Sequence, residues 1–543
     1  MTKKSLVKSA AILSAAGLIV KLLGACFRIP LANWIGNEGM ANYSPAYQLY
    51  AFLLVIATAG IPVAISRMVA ERNAVGRYRE AERVFKLSRD LMFVIGAAGF
   101  VILFFFAEGI AELISNPGAA LSMKTTAPAL LIVPVMSAYR GYFQGMQDMT
   151  PTAVSQIAEQ LFRVFIGLLL AWMCINAGLM SGLEYNVYER GAAGACFGAS
   201  AGAVGGIGAI MIIYLGRRKA IKRNIALDDV STGESAGSIL KKVIAIAIPV
   251  SIGSSIMPVV NLTDGAIVVS RLMSGGYTQE MAKGLYGDLS GFAQPIISFP
   301  QVFMQAIVIS IVPMVAAANR IGDRDELHRN SVMGIRLAAV IAIPCAAGLI
   351  ALAEPVLLLL YPTQAASAAS AAPCLQILAV GFVFSGFATA MTGILQGIGK
   401  QNYPVTNLAI GVVLKIIATW VLTSIPGLNI RGAAVGTALA FAVAAVLDYI
   451  CVRKFTGVKV PMGNTVVKPL VSSLVMGIAV YLVYRGLMAL SGHNSISVLV
   501  SILAGVCIYA VMIIRTHAID REELMNMPKA SVLVKIIDRL KLW

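Results

Sequence analysis

The chain has 543 residues, of which 58% are hydrophobic and 13% charged, and its net charge is +17. Soluble domains carry about twice that share of charge, which excludes a soluble globular enzyme, a disordered chain and a small disulfide scaffold. The apolar residues recur in runs of about 20 or more without strand alternation, the pattern of membrane-spanning helices and not of an outer-membrane barrel.

In chain order, spans are expected near 9–33, 43–66, 91–113, 121–143, 152–175, 191–215, 243–270, 289–318, 331–353, 369–396, 404–424, 432–452, 466–489 and 495–514. The first carries lysines like a signal peptide. Its apolar run continues through Lys21 and Arg28 without a cleavage site, so it reads as a retained helix. With the amino terminus cytoplasmic, cytoplasmic segments hold 32 Lys and Arg, outside connections hold 5, and the rest lie within spans. That bias is the positive-inside pattern and places both termini in the cytoplasm. The basic residues flank apolar runs, so anionic lipid headgroups are the expected partner and nucleic acid is not. The tail 531–543 reads as an interfacial amphipathic helix.

Three segments repeat. ISRMVAERNAVGRYREAERVFKLS at 65–88 aligns without gaps to 311–334, with eight of 24 positions identical. FQGMQDMTP at 143–151 resembles LQGIGKQNYP at 395–404, and RGAAG at 190–194 matches RGAAV at 431–435. Six spans per copy leave both copies facing the same way, hence parallel repeats. The expected fold is an all-α polytopic membrane protein. It has fourteen transmembrane helices: two parallel six-helix lobes around a central cleft, plus two C-terminal helices. The boundaries are 1–215 for the first lobe, 216–242 for a cytoplasmic linker and 243–452 for the second lobe. The extra spans cover 453–514 and the tail 515–543.

Charges inside spans mark function, because a cation at mid-bilayer costs about 2.5–3.5 kcal/mol on insertion scales unless it meets a cavity or a partner. Lys21 and Arg28 are seven apart on nearly one face of the first span. They suit a pyrophosphate, though Arg28 can instead snorkel to the outer interface. Asp264 in span 7 is read either as a counter-charge and coupling-ion site or as a structural ion pair between lobes. Glu159 and Arg163, four apart, suit a structural pair. Pro249 and Pro258 bracket a candidate helix bend. The seven cysteines lie in apolar runs without a CxxC, and the three histidines do not cluster, so no metal centre is expected. GxxxxGK[ST] is absent, which argues against ATP-driven transport by this chain.

LLGACFRIPLANWIG at 22–36, ATAGIPVAISRMVAE at 57–71, YRGYFQGMQDMTPTAVSQIAEQLFR at 139–163 and GILQGIGKQNYPVTN at 393–407 carry a resemblance over essentially the whole chain. The sequence resembles the polysaccharide-exporter branch of the multidrug/oligosaccharidyl-lipid/polysaccharide (MOP) superfamily. Within that branch it is similar to the stage V sporulation protein B group and the lipid II flippases. The resemblance implies a MATE-like fold and alternating-access flipping of an undecaprenyl-pyrophosphate-linked saccharide. The expected cargo is a peptidoglycan precursor, with a role in spore cortex formation. It implies no cofactor, coupling to Na+, H+ or membrane potential, function as a monomer, and cell-wall synthesis enzymes as partners. Arg28, four positions after Gly24, takes the role of the flippases' first-span arginine. Asn42 stands where they carry an acidic residue, and FLLVIATA at 52–59 lacks their second cavity arginine. A flippase for another polysaccharide or for a teichoic-acid precursor is one alternative, and the other rival reading is a cation-coupled multidrug exporter. That function calls for an acidic cleft, whereas Lys21, Arg28, Lys124, Arg163, Arg336 and Lys415 outnumber Asp264 and Glu159 within the expected spans.

Overall fold

The computed structural model describes residues 3–180, 186–226, 228 and 234–516, and every regular element among them is helical. The expected interfacial helix at 531–543 and the middle of the 216–242 linker lie outside the described residues. Thirteen helical runs among the described residues are long and apolar enough to cross a membrane.

The first unit comprises Met1–Met273 and Tyr277–Gly291. α1 (Lys3–Thr58) opens it with 56 residues. A straight helix of that length would reach about 84 Å, far beyond the roughly 30 Å hydrocarbon core. The run is kinked at Gly36, whose φ of 63° and ψ of −168° a Cβ would oppose. The expected first two spans are thus one helical run divided by a glycine. α2 (Ile61–Ala74), α3 (Tyr78–Phe105) and α4 (Ala107–Leu113) follow. The third span therefore ends at Phe105, not at 113, and α4 is a separate short helix whose Glu108 pairs with Lys124 at 2.6 Å.

α5 (Ala119–Gly145), α6 (Thr150–Met180) and α7 (Val187–Ala226) complete the central packing, joined by α8 (Ala236–Ser274) and α9 (Gln279–Gly287). α7 presents Gly191, Ala195, Gly198, Gly202 and Gly206 as a buried small-residue seam. Such seams let helix backbones approach closely inside a membrane. A Cβ on Gly202 would lie 2.6 Å from the Glu159 carbonyl oxygen, so this seam seats α6 and the side chains it carries.

The second unit comprises Ser274–Gly276 and Phe292–Trp543. A π-helical turn, Asp288–Ala293, leads into α10 (Gln294–Ile321), α11 (Arg324–Ala351) and α12 (Ala353–Leu360). α13 (Ala365–Gly397), α14 (Asn402–Leu422) and α15 (Arg431–Thr456) follow. α16 (Lys468–Ser491) and α17 (Asn494–Arg515) are the two extra spans, docked through Leu352, Met476 and Val480 and a 2.8 Å bond from the Tyr509 hydroxyl to the Val340 carbonyl. The grouping of helices differs from the six-span boundaries at 215 and 243. α8 and α9 belong with the first unit because they pack along the second half of α1, where Gly265 backs onto Pro45 and Gln48.

Candidate functional site

The second half of α1 carries Tyr43, Tyr47 and Tyr50 at helical i, i+4, i+7 spacing, so they share one face. Tyr43 and Tyr47 stack with ring centroids 5.6 Å apart, and Phe27 and Tyr50 extend the row at 6.1 and 5.8 Å. From α6, Arg163 Nη1 donates to the Tyr47 hydroxyl at 3.0 Å while its guanidinium lies 5.7 Å from the same ring. Arg163 Nη2 is 3.5 Å from Glu159 Oε1. Arg140 of α5 donates to Glu159 Oε2 at 2.9 Å and to Ser155 Oγ at 2.8 Å.

All three charged side chains are 12–14% exposed, so one carboxylate is held between two guanidiniums and the trio keeps one positive charge. Arg163 Nε is buried and makes no hydrogen bond of standard geometry with the described residues. A buried donor left over in this way is available to an incoming acceptor.

Arg28 is half-buried on the first half of α1. It acts electrostatically on Tyr43 together with Arg163, and on Tyr286 together with Asp264. Asp264 is 6% exposed, and the Tyr286 hydroxyl donates to Gln48 Oε1 at 3.2 Å. Glu159 and Arg163 thus stand at the aromatic row of the first unit, and Arg28 and Asp264 lie on α1 and α8 of the same unit. Two further expected members remain. Lys21 is exposed. Asn42 is buried in packing against Gly118, beside the 2.9 Å bond from Asn116 Nδ2 to the Ala41 carbonyl. Pro249 and Pro258 both lie inside α8.

Sequence reasoning missed four features. Arg140, counted there with the cytoplasmic connections, is inside α5 and paired. The tyrosine row was available from its spacing. Gln48 and Tyr286 required tertiary structure. Asp448, left out of the inventory of span charges, is 2% exposed within α15 and accepts a 2.8 Å hydrogen bond from Asn407.

Chemically, three guanidiniums against two carboxylates leave the site cationic. Planar guanidinium forks suit phosphate oxygens, and stacked phenols offer faces and hydroxyls to a neutral polar group.

Comparison with known proteins agrees with this architecture. Residues 6–318 match the family described as polysaccharide biosynthesis protein, and residues 290–421 match MatE. Lipid II flippase MurJ of Bacillus subtilis (strain 168) is 28% identical over 497 residues, covering 88% of each chain. Stage V sporulation protein B of the same organism is 23% identical over 543 residues, 98% of this chain and 100% of that one. A solved structure of lipid II flippase MurJ in an inward closed conformation has a TM-score of 0.67 at 16% identity, covering 92% of this chain and 98% of its own. At that identity the likeness shows the fold, whereas the polysaccharide biosynthesis match takes in more than half of the sequence. The chain belongs to the polysaccharide biosynthesis protein family of the MOP superfamily and is a multi-pass membrane transporter, not an enzyme.

Proposed function

We propose that the chain is an alternating-access flippase. It moves an undecaprenyl-pyrophosphate-linked saccharide, a peptidoglycan precursor of the lipid II type, from the cytoplasmic to the outer leaflet of a bacterial plasma membrane. The observation that carries the reading is the pair Arg140 and Arg163 held on either side of Glu159 within apolar helices, with Arg163 against Tyr47 of the tyrosine row. Cations are retained in such surroundings where they meet a countercharge. In this arrangement Glu159 and Asp264 hold the guanidiniums when no substrate is present, and the pyrophosphate takes their place when it binds. The tyrosine row then lies against the first sugar. The similarity to lipid II flippase MurJ supports a lipid-linked cargo, and the likeness to stage V sporulation protein B supports use in spore cortex formation.

A multidrug exporter of the same superfamily would be expected to present an acidic site to a cationic compound, whereas Glu159 beside the tyrosine row is engaged by two arginines. Reconstitution into proteoliposomes with a fluorescent polyprenyl-pyrophosphate saccharide tests the proposal. Transfer of the headgroup between leaflets, absent from protein-free vesicles, is the expected result. Uptake of a cationic dye without any lipid turnover would overturn it in favour of the exporter.

A further inference from the structure

The turn between α5 and α6 and the turn between α13 and α14 are built alike. In the first, the N–H groups of Met146, Gln147 and Asp148 donate to the carbonyls of Tyr142, Gln144 and Phe143 at 3.1, 2.9 and 3.0 Å. In the second, those of Ile398, Gly399 and Lys400 donate to Ile394, Gln396 and Leu395 at 3.1, 3.0 and 2.8 Å. The left-handed residue that ends each helix is Gln147, with φ 62°, in one turn and Gly399, with φ 77°, in the other. Lys400 therefore occupies the place of Asp148, and the charge at that place is reversed between the two units.

In the first unit the aspartate is used twice. It pairs with Arg217 of α7, whose guanidinium lies 5.6 Å from the Phe143 ring centroid, and its Oδ1 accepts the Thr150 N–H at 2.9 Å. The second unit has an aromatic ring at this end too, with no acid beside it. Lys400 Nζ lies 5.2 Å from the ring centroid of Phe455 in the last turn of α15, and Lys454 Nζ lies 5.7 Å from the same ring. Tyr403, in the first turn of α14, meets Phe455 edge-on at 4.8 Å. Arg453 brings a third positive charge to the end of α15. All three cations are exposed, and none forms an ion pair with a carboxylate among the described residues. The ring draws the ammoniums together, and their mutual repulsion leaves the cluster short of a negative charge.

The helix faces that run from this cluster are apolar and exposed. On α15, Val446 and Ile450 precede Lys454 at four-residue steps; on α14, Ile410, Leu414 and Ile417 follow Tyr403 along one face. Such faces in spanning helices meet acyl chains, and tyrosine at a helix end sits at headgroup level. We infer that Lys400, Arg453 and Lys454, with Tyr403 and Phe455, bind the phosphate of one anionic phospholipid whose acyl chains lie along α14 and α15. A zwitterionic lipid brings its own ammonium and so cannot supply the missing charge. General attraction of basic loops to an anionic leaflet is spread over the surface; this site is one place in one unit, and Asp148 closes its counterpart in the other. The inference does not depend on which cargo the protein moves.

The test is native mass spectrometry of the full-length protein in detergent, titrated with phosphatidylglycerol or with phosphatidylcholine of the same acyl chains. The wild type should hold its first phosphatidylglycerol at least about fivefold more tightly than phosphatidylcholine. Lys400→Gln should weaken phosphatidylglycerol by about fivefold, the factor that one Lys or Arg near an anionic surface is worth. Lys400→Asp, which restores the sign found in the first unit and gives Lys454 a partner, should abolish the preference. Arg217→Gln removes one positive charge from the corresponding end of the first unit and should leave the preference intact. Lys400 is exposed, and Lys400→Gln serves as the reporter should Lys400→Asp fail to fold. A wild type without preference, or a preference unchanged in the Lys400 variants, would overturn the site. So would an equal loss in Arg217→Gln, which would mean diffuse attraction, or displacement of the lipid by an equal concentration of inorganic phosphate, which would mean that the acyl chains contribute nothing.

Discussion

Arg28 is where side-chain chemistry and the proposed function meet most directly. It is half-buried, shares Tyr43 with Arg163 and shares Tyr286 with Asp264. If it grips a pyrophosphate, Arg28→Ala should cut turnover about a hundredfold, in keeping with the roughly 3 kcal/mol that hydrogen bonds to a charged group are worth. Insertion and abundance should stay near normal. Arg28→Lys should recover part of the activity, since an ammonium lacks the planar fork, and Lys21→Ala should be milder because Lys21 is exposed. Turnover and protein quantity measured in the same vesicles decide the matter; full turnover by a well-inserted Arg28→Ala protein would remove Arg28 from the site. Arg28 and Asp264 were legible in the sequence because a charge interrupting an apolar run is conspicuous. Asp448 was not, because it lies two turns from a helix end, where charges ordinarily reach the interface. The exposure of Lys21 was also hidden, since periodicity places two residues on one face without saying what that face meets.

At the scale of helices, the connection between α7 and α8 is fastened to the end of α2 and the start of α3. Arg72, 12% exposed on its side chain, reaches Glu234 at 2.8 Å and Glu80 at 3.6 Å. Glu234 also pairs with Lys242 and accepts a 2.9 Å bond from Ser238 Oγ, while Asp228 accepts the Arg79 backbone N–H at 2.8 Å. The Lys242 hydrogen bond, with help from Ser238 and the charge of Arg72, holds the Glu234 carboxyl below the usual carboxylate range. A depressed native value means that Glu234 contributes stability above the ordinary carboxylate pKa, and that this is lost as pH falls through the lowered value. Glu234→Gln should therefore lower stability by about 1 kcal/mol or less at neutral pH. The gap from wild type should close below roughly pH 4. Unfolding curves for the two proteins across that range check it, and a gap that stays constant with pH would rule out the ion pairs as its source. The basic cluster at 217–242 was visible in the sequence; its attachment to Arg72 and Arg79 was not, because it joins residues about 150 positions apart. Gly36 falls in the connection expected between 33 and 43, and what the sequence hid is that the helical run continues through it.

The whole molecule was legible chiefly through repetition and charge. The shared segments carry the expectation of a six-span repeat, whereas the packing of α8 and α9 on α1 follows from surface fit that no periodicity encodes. Orientation across the membrane rests on the basic clusters at 67–90 and 217–242, which fall on one side only if an even number of spans separates them. Labelling tests this in a chain whose seven native cysteines are replaced. Asn186→Cys, at the start of α7, and Ser491→Cys, at the exposed end of α16, should react with a membrane-impermeant maleimide from outside the cell. Arg77→Cys and Val230→Cys should react only after permeabilisation. The pattern discriminates among span counts because inserting or deleting one crossing between Arg77 and Val230 puts those two residues on opposite sides. Reaction of Val230→Cys from outside with Arg77→Cys protected would mean an odd number of crossings in the first lobe. Two parallel repeats would then be impossible, since an odd count forces the second copy to lie inverted in the membrane.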